Sequence, residues 1–329
     1  MSKLKLTFGC WNYDRTRAVM DGTVRPDGIE LNSLDMPVEE TFFRMLRYRE
    51  FDVAEMSLSS YMVSLFKDPK PFVAIPVFPS RFFRHSSIYV SARSGIEQPQ
   101  DLIGKRVGNP EYQMTAPVWI RGILSDHYGV PVDGVTYVTG GEEEPGRPEK
   151  LKLDLPPNIV VERIGERQTL ARMLADGEID ALYTARKPSS FNGDGRVRRL
   201  FEDFVAVERA YYRATGLFPI MHTVAIRREV YEQNRWIAQS LFKAFVEAQR
   251  LTYQDLGETA ALKAMLPWLH AHVEEARREM GDDFWPYGFD KNRNTLETFL
   301  RYHHEQGLSR RRLEPEELFA PETLEAFKI

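Results

Sequence analysis

Residues 169–185 read TLARMLADGEIDALYTA. Thr169 stands where a helix would begin, Leu170, Met173 and Leu174 share one face, and Gly177 is placed to stop the helix. An apolar stretch of strand length follows. The same order occurs earlier in the chain: LRYREFDVAEMS from Leu46 and LADGEIDALYTA from Leu174 share Leu, Glu, an apolar residue and Asp in register. Helix running into strand, twice over, predicts two α/β lobes built alike.

Outward from the first copy, LKLTFGCW and IELNSLDM have the alternation of strands. Between Pro37 and Glu50, Phe42, Phe43, Leu46 and Tyr48 recur at helical spacing, with Glu39 and Glu40 in the first turn, where the helix dipole favours anions. Two long strand-like segments connect the lobes in this reading. VAIPVFPSRFFRHSSIYVSA leaves the first and GLFPIMHTVAIRR returns from the second. The second lobe, 88–217, is then an insertion into a discontinuous first lobe, 1–87 and 218–329, with a ligand cleft between them and both crossings on its floor. GGEEEPGRPEKLKLDLPPN, residues 140–158, is dense in Gly, Pro and charge and reads as an exposed excursion. The C-terminal third is helical, with Trp236, Ile237, Leu241, Phe242, Phe245 and Val246 on one stripe and Leu296, Phe299 and Leu300 on another.

Composition narrows the function. A chain of 329 residues with a formal charge of −4 carries no basic field to draw it onto nucleic acid or an anionic membrane. Neither is an expected partner; a homodimer is the assembly expected. The single cysteine, Cys10, excludes an intrachain disulfide and reads as a small buried residue at the end of the first strand. No apolar run of signal-peptide or membrane-spanning length occurs, so the expected location is cytoplasmic.

The sequence contains no GxGxxG after a strand, no GxxxxGK[ST], no GxSxG and no HExxH. Two histidine pairs, His270 with His272 and His303 with His304, diverge on a helix, and no metal site is expected from either. What remains is a set of polar residues at strand ends and on the crossings, where open α/β sheets bind ligands. Trp11, Tyr13 and Arg15 follow the first strand; Ser57 and Ser59 follow the strand FDVAEMS; Gln113 and Thr115 precede a helix whose free N–H groups would receive an anion; Arg186 follows the second repeat. On an extended chain Arg81, Phe83 and His85 share one face and Phe82 and Arg84 the other. With His222 on the returning crossing, these residues describe a cationic pocket lined by aromatic rings, whose natural guest is a planar aromatic carboxylate.

CWNYDR, PVFPSRFFRHSSIYV, GNPEYQMTAPVWIRGIL, ALYTARKP, FPIMHTVAIRR and GDDFWPYGFDKNR together resemble the 4,5-dihydroxyphthalate decarboxylase family, and DLIGKRVG resembles the entry to the second lobe of binding proteins. The resemblance spans nearly the whole chain. It implies a two-lobed fold of the type II periplasmic-binding-protein kind and a decarboxylation that needs no cofactor, because the dihydroxylated ring is its own electron sink. On that reading Arg15, Arg81 and Arg84 clamp the carboxylate that stays, helped by Thr115. His85 is the first choice as general acid, with His222 the second choice or the group that activates the ring hydroxyl. The competing class is the solute receptor of an ABC-type uptake system, since the same fold mostly binds ligands unchanged. GDDFWPYGFDKNR is left as either cleft wall or core of the first lobe.

Overall fold

The computed structural model describes residues 2–147 and 149–325. The chain opens as β1 (Leu4–Cys10), α1 (Asp14–Met20), β2 (Ile29–Asp35), α2 (Val38–Tyr48), β3 (Val53–Ser57), α3 (Leu58–Ser64) and β4 (Phe72–Ile75). A second set follows: β5 (Ile88–Ser91), β6 (Arg106–Asn109), α4 (Thr115–Tyr128), β7 (Thr136–Thr139), β8 (Val161–Arg163), α5 (Leu170–Asp176), β9 (Ala181–Tyr183), β10 (Val197–Arg199) and α6 (Phe204–Thr215). The chain ends with β11 (His222–Arg227), α7 (Arg228–Gln233), α8 (Trp236–Gly257), α9 (Leu269–Met280) and α10 (Arg293–Glu305).

These elements form two compact units. Met1–Arg81, Ile220–Leu296 and Glu314–Ile329 make the first; Phe82–Pro219 and Glu297–Leu313 make the second. In the first unit the strand order is β2-β1-β3-β11-β4. β2, β1 and β3 are parallel, and β11 returns antiparallel between β3 and β4. Every residue of β3 is buried, as expected for a central strand covered on both faces. α8 buries Ile237, Leu241, Phe242 and Phe245, with Phe245 meeting Phe8 of β1 edge to face at 5.5 Å, whereas Trp236 and Val246 of the expected stripe are exposed.

In the second unit the order is β10-β5-β9-β6-β7-β8, with β9, β6, β7 and β8 parallel and β5 antiparallel to both its neighbours. The repeat read from the sequence is present in both sheets: α2 leads into β3, and α5 leads into β9. Gly177 ends α5 in the left-handed conformation at φ 79°, while Thr169 takes the N-cap position without a side-chain capping bond. Residues 297–313, which the sequence boundaries put with the first lobe, pack with the second unit, where Phe299 stacks on Trp119 at 5.1 Å.

Two other stretches depart from the sequence reading. The segment after Ser80 is not an alternating strand: His85–Ser87 forms a 3-10 turn, so Arg84 and His85 are both buried although adjacent. The 140–158 excursion is only partly solvated. Arg147 and Lys150 both pair with the buried Glu111, and Leu151 is buried; Pro148 lies outside the described residues. GDDFWPYGFDKNR belongs to the first unit and folds onto residues 76–81, with Gly288 N–H donating to Pro76 O at 2.9 Å and Trp285 Nε1–H to Phe78 O at 2.9 Å.

Gly122, inside α4, packs directly against the ring of Tyr302. A Cβ there would lie 2.1 Å from Cδ2 of Tyr302, whose hydroxyl is tied to Asp126 at 2.7 Å. Gly122→Ala should therefore lower the unfolding free energy by about 3 kcal/mol in a urea titration, despite the roughly 1 kcal/mol that alanine gains inside a helix. An unchanged midpoint would show that Tyr302 can turn aside.

Candidate active site

β11 is antiparallel to β3, so its first residue, His222, faces the last residue of β3, Ser57, in the register. The start of β11 therefore lies at the carboxyl ends of β1 and β3, where the parallel part of the sheet leaves room for a ligand. Glu55, two residues back on β3, is fully buried. Four donors converge on its carboxylate. Oε1 accepts from Tyr13 Oη at 2.7 Å and lies 2.6 Å from His222 Nδ1. Oε2 accepts from Trp11 N–H at 3.2 Å and from Cys10 Sγ at 3.6 Å.

Burial alone would raise the Glu55 carboxyl, but the charge and hydrogen bond of His222, then Tyr13 and the Trp11 N–H, outweigh it and hold the group below the usual carboxylate range. Burial and the Glu55 charge push the Tyr13 hydroxyl far above its ordinary value, so it stays a donor. Cys10 is raised for the same two reasons and behaves as a buried thiol. His222 keeps about a sixth of its side chain exposed, with the ring edge-to-face on Phe42 at 4.8 Å.

Arg15 sits beside this cluster. Its guanidinium carbon lies 4.2 Å from the ring centroid of Tyr13 and 4.2 Å from that of Trp285. Nε donates to Pro79 O and Nη1 to Asp14 Oδ1 at 3.0 Å; Nη2 makes no hydrogen bond among the described residues. A planar cation in contact with two rings, with Nη2 uncommitted, suits a carboxylate. Tyr287 lies in the same field. Burial raises its hydroxyl, the Arg15 and Arg81 charges oppose this, and the oxygen has no hydrogen-bond partner among the described residues.

Arg81, expected in the clamp, is engaged otherwise. It donates from Nη2 to Pro286 O at 2.8 Å and to Asn292 Oδ1, and Asn292 in turn donates to Pro286 O at 3.0 Å and Gly288 O at 2.7 Å. Arg81 thereby holds the turn that carries Trp285 and Tyr287. Ser57 caps α3, accepting from Ser60 N–H at 3.5 Å, and Ser59 is buried within that helix. Trp11 is exposed.

The second unit contains the remaining expected residues. Arg84 is buried, with long contacts of 3.4 Å to Ser87 Oγ and to Ala185 O. Burial lowers its pKa to about 9, opposed by Glu208. Gln113 is buried beside Glu111, Thr115 is the first residue of α4, and Arg186 is exposed. A carboxyl that the sequence did not single out, Glu149, is raised to about 7 by burial and by Glu111. In the first unit Glu55, Trp285 and Tyr287 were also missed. The available signal for Glu55 was an acid flanked on both sides by apolar residues, Val53, Ala54 and Met56, within FDVAEMS.

His85 requires a correction. Its ring is packed edge-on against Phe201 and Tyr211, each at 5.2 Å, and Tyr128 at 5.9 Å, and neither ring nitrogen has a hydrogen-bond partner among the described residues. Burial, with a smaller contribution from His127, lowers its pKa to about 4. An imidazole that is neutral at pH 7 cannot serve as the imidazolium donor expected of it. The native state disfavours the proton that the unfolded chain accepts near pH 6.5. Stability from His85 is therefore complete above about 6.5 and falls as pH drops toward 4, by about 3 kcal/mol in all. Urea titrations at pH 7 and pH 4.5 should show a smaller loss in His85→Phe than in the natural chain; equal losses would remove this residue from the acid response.

The comparisons with known proteins bear on the whole chain. A 4,5-dihydroxyphthalate decarboxylase of Comamonas testosteroni is 46% identical over 330 residues, covering 100% of both chains. One of Pseudomonas putida is 46% identical over 215 residues, covering 65% of this chain and 83% of its own length. No family model matches. Among solved structures, a periplasmic sulfonate-binding protein of Methylobacillus flagellatus superposes with a TM-score of 0.54 at 13% identity, covering 97% of this chain and 92% of its own. The aliphatic sulphonate-binding protein of Escherichia coli gives 0.51 at 14% identity, covering 98% and 99%. The two-sheet α/β architecture is that of these binding proteins, and no helix among the described residues is long and apolar enough to cross a membrane. By its end-to-end identity with the Comamonas enzyme, the chain belongs to the 4,5-dihydroxyphthalate decarboxylase family.

Proposed function

We propose that this protein decarboxylates 4,5-dihydroxyphthalate to protocatechuate. The observation that carries the reading is the 46% identity that runs over the full length of both chains. The cluster in the first unit supports it with a suitable division of labour. In the substrate one hydroxyl lies para to the carboxylate that leaves. Drawing the proton from that hydroxyl pushes electron density onto the ring carbon that bears the carboxylate. That carbon takes up a proton, the carbon–carboxylate bond breaks, and CO₂ departs as the bonding pair restores the aromatic ring. The net change is one proton taken from water and one CO₂ released, with no electron acceptor consumed.

His222 is the base for the hydroxyl in this proposal. It is the histidine of the cluster with part of its ring exposed, and Glu55 beside it steadies the positive charge that the ring acquires. Arg15 is the anchor for the carboxylate that remains. Its stacked guanidinium can offer Nη2 without having to be ordered first.

Incubating the purified protein with 4,5-dihydroxyphthalate should yield protocatechuate and CO₂ in equal amounts. Tight binding without conversion would instead make the chain a receptor. His222→Ala should lower kcat by about 100-fold or more, and Arg15→Lys should raise KM by about 10- to 100-fold, since it loses a charge-assisted fork. A normal KM in Arg15→Lys would put the anchor elsewhere.

A further inference from the structure

The carboxylate at the centre of the first unit has a consequence for the histidine beside it. Glu55 is fully buried, and its donors arrive from two separate stretches of chain: Cys10, Trp11 and Tyr13 at and after the end of β1, and His222 at the start of β11. A carboxylate accepts and cannot donate. The nitrogen of His222 that lies 2.6 Å from it must therefore be the one that carries hydrogen. In the neutral ring the lone pair is then on Nε2. No choice of tautomer remains, because Oε1 is held in place by the Tyr13 hydroxyl at 2.7 Å and Oε2 by Trp11 N–H at 3.2 Å.

We propose that Glu55 is a positioning residue for the decarboxylation: by fixing hydrogen on Nδ1 of His222 it leaves Nε2 to take the proton of the substrate hydroxyl, and Tyr13 holds Glu55 in the geometry that does so. This rests on the function proposed above and adds the residue that makes its base competent. In the step itself the hydroxyl O–H bond breaks and an Nε2–H bond forms. The oxygen keeps the electron pair, and the new imidazolium stands against a carboxylate already below the usual range. After CO₂ has left, the same proton returns to the oxygen. The groups packed around the pair are Tyr13 and Cys10, both held protonated, the Arg15 cation over the Tyr13 ring, and the edge of Phe42. None of them competes with Glu55 for Nδ1.

The test uses Glu55→Gln, Tyr13→Phe and the full-length natural protein. The amide introduced by Glu55→Gln can donate to Nδ1, which would drive hydrogen to Nε2 and take away the lone pair. Expected for Glu55→Gln is a fall in kcat of about 10³- to 10⁴-fold, with the dissociation constant for 4,5-dihydroxyphthalate changed less than about threefold. In ¹⁵N spectra of the natural protein, the ring that disappears in His222→Gln should carry hydrogen on Nδ1; in Glu55→Gln it should carry it on Nε2. Tyr13→Phe should keep the Nδ1 form and lose only about tenfold in kcat, since one of the bonds holding the carboxylate is gone. Natural protein with hydrogen on Nε2 of His222, or Glu55→Gln with unchanged kcat, overturns the assignment while leaving the decarboxylase intact. Natural protein that releases no CO₂ overturns the function and this assignment with it. If Glu55→Gln does not fold, the tautomer in the natural protein still decides.

Discussion

A carboxylate taken wholly out of water is tolerable only if donors replace the water it has lost. Glu55 imposes that condition on the first unit, and much of the local structure reads as the answer to it. β1 must end where the Trp11 N–H and the Cys10 thiol can turn toward β3. Tyr13, the residue before α1, must be directed inward. β11 must come back antiparallel, so that its first residue, not its last, stands beside the acid. A parallel β11 would put His222 at the amino ends of β1 and β3, leaving the carboxylate short of a donor. Function follows from the same demand, since the imidazole that donates to the acid is the one oriented for proton transfer.

The arginines show how little residue type says about role. Arg15, Arg81 and Arg84 appear alike in the sequence as cations among aromatics. Arg15 is gripped by two rings and keeps a nitrogen uncommitted, whereas Arg81 is bonded to a backbone carbonyl and an amide oxygen and fixes a turn. Arg84 is desolvated enough for its pKa to fall to about 9. Guanidinium needs several acceptors before burial becomes neutral in free energy, and the supply of carbonyls around each residue separates the ligand-binding candidate from the structural pin.

Local order in the chain was legible where periodicity carries it. The helix that leads into β3, the one that leads into β9, and the stop at Gly177 follow from spacing and from one residue that tolerates a positive φ. The two-sheet organisation followed from the internal repeat. Less was legible in the site. Tyr13, Arg15 and His222 could be picked out as polar residues at strand ends, but the acid that joins them could not, because its partners are set by strand order, and strand order is a long-range property. His85 failed for the same reason. Nothing adjacent in sequence announces that Phe201 and Tyr211 will surround it, and alternation put it on one face with Arg81 and Phe83, a pattern that the 3-10 turn breaks.

The turn held by Arg81 and Asn292 bears on how the protein is made. Trp285, the second ring against Arg15, is encoded 270 positions after its partner, and His222 comes long after Glu55. A ribosome therefore exposes the N-terminal strands while their buried acid lacks its imidazole and their arginine lacks half its aromatic sandwich. That intermediate cannot bury Glu55 as a carboxylate with its full set of donors, since the one from His222 arrives only with the C-terminal third.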